Sequence, residues 1–216
     1  GLGPKLFHVP LLIGPGYFAH GYLAWVIGTV LVGDMSRTSG KFTTFAVPFI
    51  ASFAMVAWDL SFDPTASTIT GNWIWEEGGG YFGVPFSNFV GWYFTVYLFY
   101  QLFAIFLRFR KTDGNQETAA FPRSFYAQAT IMYAVTGLAV VVAYLANNDH
   151  TTVTDAMGVV WRKRDIIEAE ATVSLFTMIF AAALATVNLL RWPAACASKR
   201  RKPDQPSWPP GESVQV

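Results

Sequence analysis

The chain has 216 residues, of which 53% are hydrophobic, 17% aromatic and only 13% charged, with 15 Lys and Arg against 14 Asp and Glu. A soluble domain carries about 25% charged residues, so much of the usual solubilising charge is missing and the surface is built for lipid. The net charge of +1 offers no general attraction for nucleic acid, and the lone Cys196 excludes an internal disulfide and a cysteine-based metal or iron–sulfur site.

Five apolar stretches have the roughly 17–25 residues needed to cross a hydrocarbon core. The first covers roughly 17–33. Before it runs an apolar lead, 6–13, punctuated by Pro10 and Pro15, which reads as re-entrant, interfacial or the start of a kinked helix. The second covers roughly 42–60, with Pro64 expected to end the helix. The third, roughly 88–107, contains GWYFTVYLFYQLF and is apolar on most sides. The fourth covers roughly 125–146 and the fifth roughly 168–190, where Ala181, Ala182, Ala183 and Ala185 suit close helix packing. This pattern predicts an all-α, polytopic transmembrane bundle of about five spanning helices. A transmembrane domain at 1–190 is expected to be followed by a disordered tail at 191–216, rich in Pro and charge. The chain opens on Gly1 rather than Met, which leaves room for a removed leader or upstream helices.

Lys and Arg near helix ends stay on the cytoplasmic side. Five crossings put eleven of them on the face shared by the tail, by Arg37 and Lys41 and by the loop around Arg110, and four on the other. The expected location is therefore the cell inner membrane, with the carboxyl-terminal tail in the cytoplasm.

The loop at 61–87 has no Lys or Arg, yet 58–92, WDLSFDPTASTITGNWIWEEGGGYFGVPFSNFVGW, holds four of the fourteen acids and four of the eight tryptophans. Asp59 and Asp63 are four residues apart and share a helix face. Acids at membrane depth face a bundle interior or water far more often than lipid; the alternative is that these two cap helix ends or satisfy loop amides. An ionised carboxylate is expensive there, so Asp59 is expected either to keep its proton or to pair with a polar group such as His20 or Asn88. Glu76 and Glu77 follow Trp73 and Trp75 and precede Gly78, Gly79 and Gly80. Carboxyl groups among indoles lose hydration, and a glycine run lets backbone approach a ligand or fold a loop back into the bilayer, so Glu76 is a second candidate proton source. The competing reading is an interfacial aromatic belt of Trp73, Trp75, Tyr81 and Trp92. A Trp-rich segment without bases is expected to fold back over the end of the bundle and bury Trp73 or Trp75.

His8, His20 and His150 are isolated, so no metal is expected, and there is no P-loop, dinucleotide fingerprint or nucleophile elbow. Asp59 and Asp63 invite comparison with magnesium-diphosphate motifs, but no second acidic cluster accompanies them and no Lys or Arg stands between Lys41 and Arg108. A neutral lipid fits this charge balance better.

AWDLSFDP followed by GNWIWEEGGGYFGVPFSNFVGW resembles the membrane-embedded carotenoid biosynthesis family that contains the carotenoid 1,2-hydratases, over about residues 6–110. The ordered features are a D-x-x-x-D-P helix end, W-x-W-E, Y-F-G-[IV]-P and N-F-x-G-W. The resemblance implies addition of water to the terminal 1,2 double bond of an acyclic carotenoid end group, by acid catalysis in the membrane and with no cofactor. It implies Asp59 or Glu76 as the acid, and Trp73, Trp75, Tyr81 and Trp92 as aromatic faces for a cation. Asp63, Asn72 or Asn88 would position water. Expected partners are a carotenoid or other apolar isoprenoid and the lipid bilayer, with no nucleic acid. A second reading is a non-catalytic membrane subunit whose third helix, with Phe89, Trp92, Tyr97 and Tyr100, binds a pigment or partner helices of other membrane proteins. A transporter is disfavoured because no repeat is visible.

Overall fold

The computed structural model describes residues 4–6, 9–11, 13–33, 40–109 and 121–192. From 193 onward the expected tail lies outside the described residues, as do the basic positions Arg37, Arg110 and Lys111.

Five helices form the bundle: α1 (Ile13–Val32), α2 (Lys41–Leu60), α3 (Phe86–Phe109), α4 (Arg123–Ala146) and α5 (Lys163–Arg191). Neighbours run antiparallel: Tyr17 and Gly28 of α1 meet Asp59 and Ala51 of α2, Asn88 and Gln101 of α3 reach Asp63 and Thr44 at the two ends of α2, and Tyr126 and Gly137 of α4 meet Trp192 and Ser174 at and within α5. Four of them, α2 to α5, are long and apolar enough to cross a membrane, which makes this an integral membrane protein. The first helix has 20 residues but is diluted by Gly14, Pro15, Gly16, His20 and Gly21. It starts earlier than the apolar pattern implied, so Pro15 falls in its opening turn, where a missing N–H is tolerated. The lead before it contributes a short antiparallel contact, β1 (Lys5–Leu6) with β2 (Val9–Pro10), in place of a re-entrant helix.

The second helix is the centre of the bundle. In its most apolar window 56% of the residues are buried inside the protein, against 17–28% for α3, α4 and α5, which show most of their surface to lipid. Its end departs from expectation. Pro64 does not stop the helix; after a turn at Ser61 and Phe62 it leads, with φ −61°, into a π-helical turn, Thr65–Ile69. An amide at position 64 would have bonded the Leu60 carbonyl; Pro has none, and that carbonyl instead accepts the Tyr81 hydroxyl at 3.0 Å. A second π-helical turn, Leu175–Ile179, interrupts α5. Between α4 and α5 a small hairpin forms, β3 (Thr152–Thr154) with β4 (Val160–Arg162).

Lipid offers helices no hydrophobic reason to associate, so close packing and polar contacts hold such bundles. The core joins Ala24, Ile27 and Val30 to Met55, Tyr133, Met178 and Ala185. Across it side chains donate to backbone carbonyls: Tyr133 Oη to Ala54 at 2.7 Å, Tyr100 Oη to Gly21 at 2.6 Å, Gln101 Nε2 to Thr44 at 3.0 Å and Ser174 Oγ to Gly137 at 2.9 Å. A methyl group on Gly28 would sit 2.9 Å from the Ala51 Cβ and 3.0 Å from its backbone nitrogen. Gly28→Val is therefore expected to push α1 off α2 and cost about 1–3 kcal/mol, read as a lower thermal midpoint of the detergent-solubilised protein. An unchanged midpoint would mean that the α1–α2 contact adjusts freely.

Candidate functional site

Asp59 and Asp63 point into the bundle from the end of α2, as their spacing predicts, and are 0% and 3% exposed. Asp59 Oδ1 accepts a long bond from Tyr17 Oη of α1, at 3.5 Å, while its Oδ2 is buried with no partner. Asp63 Oδ2 accepts from Asn88 Nδ2 of α3 at 2.7 Å. The amide is thus paired with Asp63 rather than Asp59. His20 does not reach Asp59 either: its Nδ1 donates to the Gly16 carbonyl at 3.1 Å, its ring stacks on Trp58 at 4.2 Å, and its Nε2 is buried and unpartnered.

Tyr17, whose hydroxyl reaches Asp59, belongs to an aromatic cluster. Tyr17 stacks on Trp92 at 4.8 Å and meets Trp58 edge-on at 5.5 Å, and Trp58 stacks on Phe62 at 5.4 Å. Tyr17 and Trp58 are candidate site residues that the sequence reading did not single out.

A third buried acid joins from α5. Glu170, 3% exposed, accepts the Thr65 N–H on Oε1 at 2.7 Å and the Thr65 hydroxyl on Oε2 at 2.6 Å. This clamp fixes the π-helical turn directly after Asp63. The sequence analysis did not single out Glu170, because it placed the start of the fifth stretch at roughly 168. The helix actually begins at Lys163, which carries Glu170 two turns inward.

The loop does fold back. Thr68 Oγ1 donates to the Phe82 carbonyl at 2.5 Å, Tyr81 pairs with Val84, and Gly83 N donates to Gly79 O at 3.0 Å. A side chain on Gly79 would collide with the backbone of Val84 and Pro85, so this glycine permits the close return of the loop. Burial, with the Glu170 and Asp63 carboxyls nearby, pushes the Tyr81 hydroxyl above the usual phenol range and keeps it a neutral donor to Leu60. The hairpin lies on top: Trp161 meets Phe82 edge-on at 5.2 Å and donates from Nε1 to Asp155 Oδ2 at 2.8 Å, and Gly83 rests against Asp155.

The nine residues anticipated from sequence divide. Asp59, Asp63 and Asn88 are buried, and Tyr81, Trp75 and Trp92 half-buried around one small cluster with Val56, Val84 and Phe89. Trp73 is half-buried, while Asn72 and Glu76 are exposed. Trp75 and Trp92 also wall a groove of about 290 Å³ lined further by Ser87, Asn88, Gly91 and Thr95. Its Asn88 touches Asp63, and Trp92 reaches Asp59 through Tyr17.

Chemically, this is a buried carboxyl group reached by the phenol of an aromatic cluster, with a second carboxyl held by an amide four residues on. Among the described residues the two ion pairs, Arg162 with Asp165 and Lys163 with Asp149, lie in the outer hairpin region and neutralise neither. Such an arrangement can give a proton to an apolar molecule and stabilise the cation that results. A family model described as carotenoid biosynthesis protein matches residues 1–148. No curated protein and no solved structure matches the chain.

Proposed function

The chain belongs to the carotenoid biosynthesis protein family, and on that premise we propose that it adds water to the terminal 1,2 double bond of an acyclic carotenoid within the membrane. The observation that carries this reading is Asp59: fully buried, one oxygen without a partner, and the other reached by the Tyr17 hydroxyl of an aromatic cluster instead of by a cation. An apolar alkene gives an acid nothing to hydrogen-bond, so a catalytic acid for it has no reason to be otherwise engaged. Asp59 delivers its proton to C2, the less substituted alkene carbon, and the π electrons form the new C–H bond. The tertiary cation left at C1 is stabilised by the faces of Tyr17, Trp58 and Trp92. Water held at the Asp63–Asn88 pair attacks C1, its surplus proton passes to a carboxylate, and the acid is restored. The elements of one water molecule are added and no electrons are gained or lost.

Glu76 is the alternative acid, but it faces solvent and lacks the dry environment in which proton transfer to an alkene competes with transfer to water. The second reading, a non-catalytic carotenoid-binding subunit, is favoured by the aromatic surface of α3, where Phe94, Phe99 and Phe103 are exposed. Expression in cells that accumulate lycopene separates the two. The hydratase gives a carotenoid heavier by one or two waters; recovery of unmodified lycopene alone, with the protein present in the membrane, would sink the catalytic reading.

The tail at 191–216 we assign to the cytoplasm, from the eleven-to-four bias of Lys and Arg. Protease added to intact cells is expected to leave it whole and to remove it from inverted vesicles. Cleavage in intact cells would reverse the topology. Truncation after Ser198 is expected to leave product formation unaffected.

A further inference from the structure

The groove between Trp75 and Trp92 opens on the flank of α3, and its shape bears on how a substrate reaches buried acids. Ser87, Gly91 and Thr95 succeed one another at intervals of four on α3, all exposed, and make a track about 12 Å long. Nothing stands within 4 Å of the position a Gly91 Cβ would occupy. Phe86, Phe94 and Leu98 flank the track and are 79%, 63% and 59% exposed, so this side of α3 faces lipid. At its inner end Asn88 leads to Asp63.

We infer that this groove seats the terminal stretch of a neutral polyene, which enters sideways from the bilayer along Ser87, Gly91 and Thr95 and ends at the Asp59–Asp63 pair; the inference rests on the hydration reading for what happens there. Three observations select this occupant. No Lys or Arg occurs from 42 to 107, so nothing at the groove would neutralise a phospholipid headgroup or an isoprenoid diphosphate. The two indole walls suit a flat, polarisable conjugated chain through dispersion and stacking. The Trp75 Nε1 donor is buried with no partner, a cost that a hydroxyl oxygen on the hydrated end would relieve.

The test uses the full chain with Cys196→Ser and Gly91→Cys, reconstituted in phospholipid vesicles with or without lycopene and treated with a lipid-soluble maleimide. Lycopene is expected to slow labelling at position 91 several-fold, and Thr95→Cys in the same background is expected to behave alike. A control cysteine at Leu138, exposed on α4, should label equally in both vesicles. Equal labelling with and without lycopene at both groove positions would overturn the proposal. So would efficient disulfide cross-linking through Gly91→Cys, which would make the track a contact between two copies. Protection at Gly91→Cys in a protein that yields no hydrated carotenoid would leave the groove assignment standing and refute the hydratase reading, so the two failures are distinguishable.

Discussion

Asp59→Asn is expected to abolish detectable hydrated carotenoid while the protein stays in the membrane at near wild-type level. The amide matches the carboxyl in shape, and its oxygen can still accept the 3.5 Å bond from Tyr17, but it has no transferable proton. A general acid contributes about 10²–10⁴-fold to rate, enough to take product from the main pigment to below detection. Glu76→Gln is the matched control. Because Glu76 is exposed, conversion should persist in that variant. Full conversion by Asp59→Asn would defeat the acid assignment, and its loss in Glu76→Gln alone would move the acid to the loop.

Replacing Glu170 should act on architecture instead. Glu170→Ala leaves the Thr65 amide without its acceptor in the bundle interior, at about 1–3 kcal/mol, and frees the turn that bears Thr68 and, through it, the folded-back loop. A lower thermal midpoint in detergent and reduced conversion are expected together. Glu170→Gln keeps both contacts, since its oxygen accepts from the Thr65 N–H and its amide nitrogen can donate to the Thr65 hydroxyl, so midpoint and conversion should recover. A Gln variant that is stable yet inactive would instead make Glu170 a participant in proton transfer.

The spanning segments were legible because hydrocarbon demands long apolar runs: the stretch at 42–60 became α2 (Lys41–Leu60) almost residue for residue. The importance of Asp59 and Asp63 followed from the cost of acids at membrane depth. What remained hidden depends on pairing between helices, which hydropathy does not encode. Asn88 was anticipated as a site residue, but its choice of Asp63 over Asp59 is set by the register of α3 against α2. Tyr17 was only the first residue of an apolar stretch, and the role of Pro64 required knowing that Tyr81 would return to the Leu60 carbonyl. The hairpin carries no signal of its own beyond Gly158 and alternating residues, because its purpose is to cover a loop more than sixty positions earlier.

The helix that brings two acids into the bilayer is synthesised before most of the groups that receive them. When α2 leaves the protein-conducting channel, α1 is the one of the five described helices that precedes it, and Tyr17 offers Asp59 a single long hydrogen bond. An Asp at the centre of a span costs about 2.5–3.5 kcal/mol on insertion, less toward an end, and Asp63 has no partner until Asn88 emerges with α3. Biogenesis is therefore best served when α2 and α3 leave the translocon as a joined hairpin with the Trp-rich loop between them. The Glu170 clamp comes with α5, so the turn beside the acids can lock only after the other four described helices have been made.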